Sequence, residues 1–477
     1  MMKSLNIRKK LVTLAVASVV SGGAMMAMTA PAHAMNVSQD GLGQVLLFPY
    51  YTVKNGLDTL FTVTNTSDKT VTFKVRFREA LNSREVRDFN VVLSPYDHWG
   101  AVVTSTTAGG ALLRTWDKTC TSPQLPASAT HAGATEIAFT NTEFSGALTD
   151  GAVGTMDRVQ EGYFEIIQMG VSDRDTAVST NTLEYNAKHV SGVPRDCALV
   201  DQMFLPAGVA TLNGYMLPPE NILKGHTTYI NVANGTAIDA EPTAIEDFQT
   251  LGPINAEPGG QSPSLANGNA VGTINALTDG QPVSAAYAGS VNGVSEILRA
   301  QSVINEYATG TGASTSWVMT FPTKHHYTDS YTSGTGPTAK DQIPVVGGGF
   351  SEWFYTTIKN GMSCDNIGLN IYNREEGTVQ NLGNTNFSPA PTAEYVELCY
   401  EANVVDFNGS SVFGLGTNRL GVSTSAVGTA GWAEMMFSEA DAVTAGGLPV
   451  IGFAATVRDA GGATVNYGSS TVHSYRR

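Results

Sequence analysis

Charged residues are scarce in this 477-residue chain, at 14% of positions, where an ordinary globular protein has about a quarter. Basic residues are the scarcer sign: 27 Lys and Arg stand against 42 Asp and Glu, a formal charge of −15. A chain this acidic repels a phosphate backbone, which argues against nucleic acid as a partner. After the N-terminal segment no apolar run approaches the length of a membrane-spanning helix, about 20 residues, so no transmembrane segment is expected in the mature chain. Catalytic signatures are also missing. No G-x-S-x-G, H-E-x-x-H or G-x-x-x-x-G-K-[ST] occurs, so the elbow, zincin and P-loop chemistries have no foothold. No C-x-x-C is present and no histidine lies within four residues of a cysteine, which argues against zinc. No block repeats at a fixed period, which excludes a solenoid or propeller.

What is present begins with Lys3, Arg8, Lys9 and Lys10, then an apolar run from Leu11 to Val20, then small residues ending Ala32-His33-Ala34. That order reads as a secretory signal peptide over residues 1–34. Its removal takes four positive charges and no acid, leaving −19 on 443 residues. Export suits the cysteines. Cys120, Cys197, Cys364 and Cys399 make an even count, expected to form two disulfides. Cys120–Cys197 and Cys364–Cys399 are the favoured pairs, because each joins neighbouring strand-rich stretches.

Fifty glycines and abundant Thr, Ser and Asn suit strands and turns, so the expected fold class is mainly β. In Thr70 to Arg78 every second residue is apolar, the period of a half-buried strand. That pattern places Val71, Phe73, Val75 and Phe77 in a core and leaves Thr72, Lys74 and Arg76 wet. Neighbouring short strands at Leu60–Thr64, Phe89–Leu93 and His98–Val103 predict an immunoglobulin-like β-sandwich over 35–105. Gln44–Val53 is its opening strand, with Pro49 at an edge or bulge. A second β-rich, sandwich-like domain is expected over 106–477, with a loop-rich insertion at about 239–291 and one helix over Asn292–Ala308. Asn234-Gly235 and Asp459 to Gly462 read as hairpin turns.

Candidate chemistry is sparse. Lys324-His325-His326-Tyr327 follows the apolar stretch Trp317 to Phe321 and could offer polar groups at a sheet edge, though adjacent strand residues point to opposite faces. Glu165 and Glu375-Glu376 are carboxylates of the kind a glycosidase pairs, and Trp99, Trp116, Trp317, Trp353 and Trp432 could stack on a sugar. Solvated charge and core packing account for the same residues. Asp406, Asn408 and Ser410 supply oxygens at alternate positions of a turn and are the calcium candidates. The twelfth position of an EF-hand loop would be Thr417 rather than Glu, so that motif is not met. Asp173-Arg174-Asp175 and Asp239 to Asp247 are looser acidic clusters. No catalytic residue and no cofactor-binding residue is assigned.

Several stretches together carry a resemblance: Gly43 to Tyr51, Ser83-Arg84-Glu85-Val86, Glu161 to Ile167, Trp317 to Tyr327 and Gly447 to Ala455. The chain resembles a family of exported proteins of Gram-negative bacteria, some marine members of which look like surface-layer proteins. The resemblance implies a non-enzymatic cell-surface protein that self-assembles as a homo-oligomer or lattice, in contact with outer-membrane lipopolysaccharide. A secreted carbohydrate-binding module or glycoside hydrolase is the alternative.

Overall fold

The computed structural model describes residues 34–174, 180–269, 271–278, 281–310, 312–328, 353–354, 361–375, 377–380, 396–409, 411–437, 447–459 and 466–477. All of the expected signal peptide except Ala34 lies outside them.

Alternation builds the first sandwich. From the strand Thr70–Glu79, Val71, Phe73, Val75 and Phe77 enter one core together with Leu46, Phe48, Phe164 and Ile166. The strand belongs to a seven-stranded sheet ordered Asn36–Val37, Thr243–Glu246, Val45–Thr52, Glu161–Ser172, Thr70–Glu79, Glu85–Leu93 and Cys120–Ser122. A second seven-stranded sheet faces it, ordered Thr135–Ala138, Ala111–Thr115, His98–Ser105, Asp58–Asn65, Leu223–Asn231 and Thr236–Ala240, with Leu42–Gly43 beside Leu223–Asn231. Phe61 of the second sheet packs edge-on against Trp99 at 5.5 Å and Phe77 at 5.8 Å, and Phe48 stacks on Phe164 at 4.1 Å. Each such ring contributes about 1.5–3 kcal/mol by leaving water.

This unit is a sandwich, but the boundary expected at 105 falls inside it. Strands from residues 161–246 complete both sheets, and the chain from Ala34 to Arg477 forms one compact unit. Pro49 sits at a bulge, as expected: the pairing with Glu161–Ser172 shifts between Gly162 and Phe164, opposite Tyr51 and Phe48. Gly162 is required there, since a Cβ would stand 1.9 Å from the Arg78 carbonyl.

The second sandwich pairs a six-stranded sheet with a five-stranded one. The first is ordered Thr378–Gln380, Asp365–Asn373, Ala430–Phe437, Ser302–Ala308 and Ser474–Arg476, with Val396–Leu398 beside Asp365–Asn373. The other is ordered Arg419–Val422, Ala402–Phe407, Ala313–Thr320, Ile451–Asp459 and Asn466–Val472. Trp317, Tyr307, Phe407, Leu369 and Met435 fill the space between them. The helix expected over 292–308 covers only Ser290–Leu298; Ser302–Ala308 is a strand paired with Ala430–Phe437 and Ser474–Arg476. The helix lays Val291, Val294, Ile297 and Leu298 on the outer face of the first sheet, against Val45, Leu47, Ile167 and Ile245. The expected insertion is likewise not only loop, since Thr243–Glu246 is a sheet strand and Val271–Thr278 pairs with Gln281–Ala288. At the Asn234-Gly235 turn, Gly235 has φ 63° between two paired strands. The other predicted turn, 460–462, lies outside the described residues, while its flanking strands pair from Phe453–Val472 to Asp459–Asn466.

Both disulfides form as expected. Cys364 joins Cys399. Cys120 joins Cys197 and straps a helical patch, Leu183–Ala187, Cys197–Gln202 and Pro206–Tyr215, to the first sheet over Met169 and Val92. The Asp196 carboxylate caps the middle helix, accepting from the Ala198 and Leu199 N–H groups.

The expectation that Thr72, Lys74 and Arg76 are wet is wrong, because all three are at most 1% exposed. The irregular segment 255–263 covers their face. The Thr72 hydroxyl donates to Asn255 at 2.7 Å, Lys74 donates to the Glu257 and Gly260 carbonyls at 2.9 and 3.1 Å, and Arg76 donates to Gly260 and Pro263 at 2.9 and 2.8 Å. Asp substitutions at Phe73 and at Thr72 should therefore both unfold the chain, each burying an unpaired charge at a cost of several kcal/mol. A Thr72→Asp variant whose thermal transition matched wild type would show that the covering segment does not seal this face.

Candidate functional site

The polar face of Thr70–Glu79 meets its partner strand in register, Arg76 opposite Glu165 and Arg78 opposite Tyr163. Alternation therefore delivers two guanidiniums and one carboxylate to a single buried spot. Arg76 Nη1 and Arg78 Nη2 lie 3.2 and 3.3 Å from Glu165 Oε1, and Arg76 Nε lies 2.9 Å from Glu85. Beside them Glu79 binds the Leu81, Asn82 and Arg84 N–H groups, closing the turn that follows the strand. Arg158 forks onto Glu79 and Asp150 at 2.6 and 2.5 Å.

The second sandwich docks onto this charge. Lys324–His326 is a single 3-10 turn after the strand Ala313–Thr320, so the histidines stand in the interior rather than at a sheet edge. Their rings are 4.0 Å apart, and His325 Nδ1 is 3.5 Å from the Tyr163 hydroxyl. Burial holds both imidazoles neutral. His326 is pushed down to about 3, first by burial and then by Arg78 and Arg76. His325 is held well below the ordinary range by burial, His326 and the nearby arginines. Burial also pushes Glu401 up to about 8 against the opposing pull of Lys324 and the Ser83 hydroxyl. Lys324 is 2.7 Å from Asp365 and donates to the Ser363 carbonyl at 2.6 Å.

Direct bonds complete the joint. The Glu401 and Ala402 N–H groups donate to the Leu81 and Ala80 carbonyls at 3.2 and 2.9 Å, and the Thr320 hydroxyl donates to the Pro49 carbonyl at 2.5 Å. A second ion cluster sets Glu161 against Lys54 at 3.0 Å, Arg419 at 2.9 Å and the Tyr50 hydroxyl at 2.5 Å. Tyr50, Tyr229 and Ile238 of the first sandwich pack there on Val404, Phe413 and Phe453 of the second. Several atoms keep no hydrogen-bond partner among the described residues: His325 Nε2, both ring nitrogens of His326, Glu165 Oε2 and Glu401 Oε2. The arrangement favours a protonated Glu401 carboxyl and neutral His325 and His326 imidazoles.

Other residues singled out in the sequence are not brought together. Asp406 accepts from the Ser316 hydroxyl at 2.6 Å and lies 4.0 Å from Arg419. Asn408 donates to Thr309 and Thr424 at 2.9 and 2.6 Å, and Ser410 lies outside the described residues. Both described calcium candidates are thus engaged inside the chain. Among the described residues, ligand atoms from Cys364, Glu397 and Cys399 converge closely enough for a metal, but the two sulfurs are the disulfide. Glu165 is sealed between arginines rather than facing a second carboxylate across a cleft. Glu375 is exposed and Glu376 lies outside the described residues. Trp99 and Trp317 are fully buried and Trp353 is buried, while Trp116 is 52% and Trp432 39% exposed, the last stacked on Tyr372 at 4.0 Å.

Sequence reasoning missed Glu79, Asp150, Arg158 and Glu401, none of which sits in a local pattern. The readable hint was the parity of Arg76 and Arg78, opposite to the apolar positions of their strand. Comparison with family models, curated proteins and solved structures returned no match. No helix among the described residues is long and apolar enough to cross a membrane.

Proposed function

We propose that this chain is an exported, non-enzymatic structural protein of the cell surface that self-assembles into an ordered array. The observation that carries the reading is the joint: the two sandwiches are held together by the buried Glu161–Arg419 ion pair, direct hydrogen bonds and a shared aromatic core, so the subunit keeps one shape. A lattice needs such a subunit, because its contacts repeat only if the body between them does not bend. The mature charge of about −19 then opposes close packing over a Debye length, roughly 8 Å at physiological salt. Divalent cations bridging surface carboxylates of neighbouring copies relieve it, with calcium the available ion outside a cell. Lipopolysaccharide of the outer membrane, itself anionic, is the anchoring partner this reading implies, through the same cations.

Light scattering of the mature protein across a calcium titration tests the proposal. The expected result is a monomer in chelator and sheets or large oligomers at millimolar calcium. A particle size that ignores calcium, with no lattice on native cells, would overturn it.

A further inference from the structure

The helical patch strapped down by Cys120–Cys197 borders an open cleft of about 620 Å³, within the range of about 300–1,000 Å³ typical of small-molecule sites. It takes no part in the joint or in the proposed assembly. Its wall is apolar where Leu199, Met203, Leu212 and Tyr215 line it. One cation stands at its rim. The Arg174 guanidinium lies over the Tyr215 ring, 3.7 Å from its centroid, and Arg174 is exposed. Among the described residues no carboxylate comes within ion-pair distance of Arg174; the same holds for Arg87, Arg195 and Arg477, but of these arginines only Arg174 lines the cleft. Gln202 and Asn181, also lining the cleft, can donate to a second oxygen of the same head group.

We infer that this cleft binds a small amphiphile, a hydrocarbon chain ending in an anionic head, with the chain against Leu199, Met203 and Leu212 and the head on Arg174. The chemistry follows from what the cleft offers. Apolar walls gain by removing methylene groups from water, about 0.8 kcal/mol for each one buried. A guanidinium already fixed by an aromatic ring presents its N–H fork to a carboxylate or phosphate with little further ordering. A neutral alcohol of equal chain length fills the same walls but leaves the fork without a charged acceptor, so the site should discriminate between them.

One glycine makes the test clean. Gly214 lines the cleft within the helix Pro206–Tyr215, and a Cβ built there meets nothing within 4 Å. Gly214→Phe should therefore plug the cleft without disturbing the backbone. Arg174→Gln removes the cation from an exposed position and should leave the fold unaffected. The probe is 11-(dansylamino)undecanoic acid, titrated into the mature chain in chelator so that calcium does not precipitate it. The expected result is saturable one-to-one binding, displaced by dodecanoate at a concentration at least tenfold lower than dodecanol requires. Arg174→Gln should erase that preference by weakening dodecanoate alone, and Gly214→Phe should abolish binding of both while the thermal transition stays in place. Equal displacement by acid and alcohol would remove the anionic head from the proposal. Binding that survives both variants, or no saturable binding at all, would overturn the site. If Gly214→Phe lowers the transition, Arg174→Gln alone decides the outcome.

Discussion

Replacing Arg158 by leucine is expected to lower the unfolding free energy by about 3–5 kcal/mol, the usual cost of leaving buried charges without their partner. Arg158 is 5% exposed and sits on the 3-10 turn Met156–Gln160, with its guanidinium 4.3 Å from the Phe144 ring centroid. It serves two carboxylates at once, Glu79 and Asp150, whose side chains are 0% exposed. Burial by itself would raise Asp150, but hydrogen bonds and charge from Arg158, helped by the Asn82 amide, bring it below the ordinary carboxylate range. Without the arginine Glu79 keeps its backbone N–H donors and Asp150 keeps Asn82, the Ala152 N–H and Arg84 at 3.6 Å, but the two buried charges lose the guanidinium that they share. Arg158→Lys should recover part of the loss, since it keeps the charge but not the fork. The triple variant Arg158→Leu with Glu79→Gln and Asp150→Asn should recover part of the single variant's loss, because the two carboxylates that Arg158 served are no longer charged. Urea titrations at neutral pH measure all three. A single-variant midpoint equal to wild type would mean that water reaches these carboxylates.

The second large effect is on pH dependence, and the joint supplies two opposing slopes. Glu401 has a folded pKa raised to about 8 from 4.5. The stability it contributes is fully present below pH 4.5 and is lost as pH rises towards 8. His326 has a folded pKa depressed to about 3 from 6.5, so its contribution is fully present above pH 6.5 and is lost as pH falls towards 3; His325, also held well below 6.5 by burial, adds a slope of the same sign. Between pH 4.5 and 6.5 the slopes oppose each other, and above 6.5 only that of Glu401 remains. From pH 6.5 to 8 wild type should lose up to about 2 kcal/mol, at about 1.4 kcal/mol per pH unit for one proton. Glu401→Gln keeps the shape of the protonated acid and should flatten that limb. His326→Phe should instead soften the acid limb. Denaturation midpoints at pH 5.5, 6.5, 7.5 and 8.5 separate the cases, and a Glu401→Gln curve parallel to wild type would refute the assignment.

Strands were legible wherever one face is apolar and the other polar, and Phe73 and Val75 went into the core as their period required. What lay opposite could not be read. Thr72, Lys74 and Arg76 look like a wet face because the segment that covers them, 255–263, is irregular and some 180 residues away. Ser302–Ala308 shows a similar ambiguity. Val303 and Tyr307 fit a helix period four residues apart and a strand period equally well, and the ladders to Ala430–Phe437 and Ser474–Arg476 decide for the strand. The cysteine pairs were legible because each links neighbouring strand-rich stretches. His325 and His326 stood out by type, but their setting did not, since Arg76 and Arg78 act on them only once the second sandwich has closed on the first.

The long reach of these contacts also governs when the molecule can form. The strand Val45–Thr52 waits for Thr243–Glu246 to reach its side, Lys74 waits for the carbonyls of Glu257 and Gly260, and Pro49 waits for Thr320. Closing loops of that size costs entropy before any contact repays it, and folding rates fall as paired residues lie farther apart in sequence. The N-terminal third therefore lacks these partners while the remainder is still being made. Slow, late closure of this kind withholds the fixed shape of the first sandwich until the chain beyond residue 240 is there to complete it.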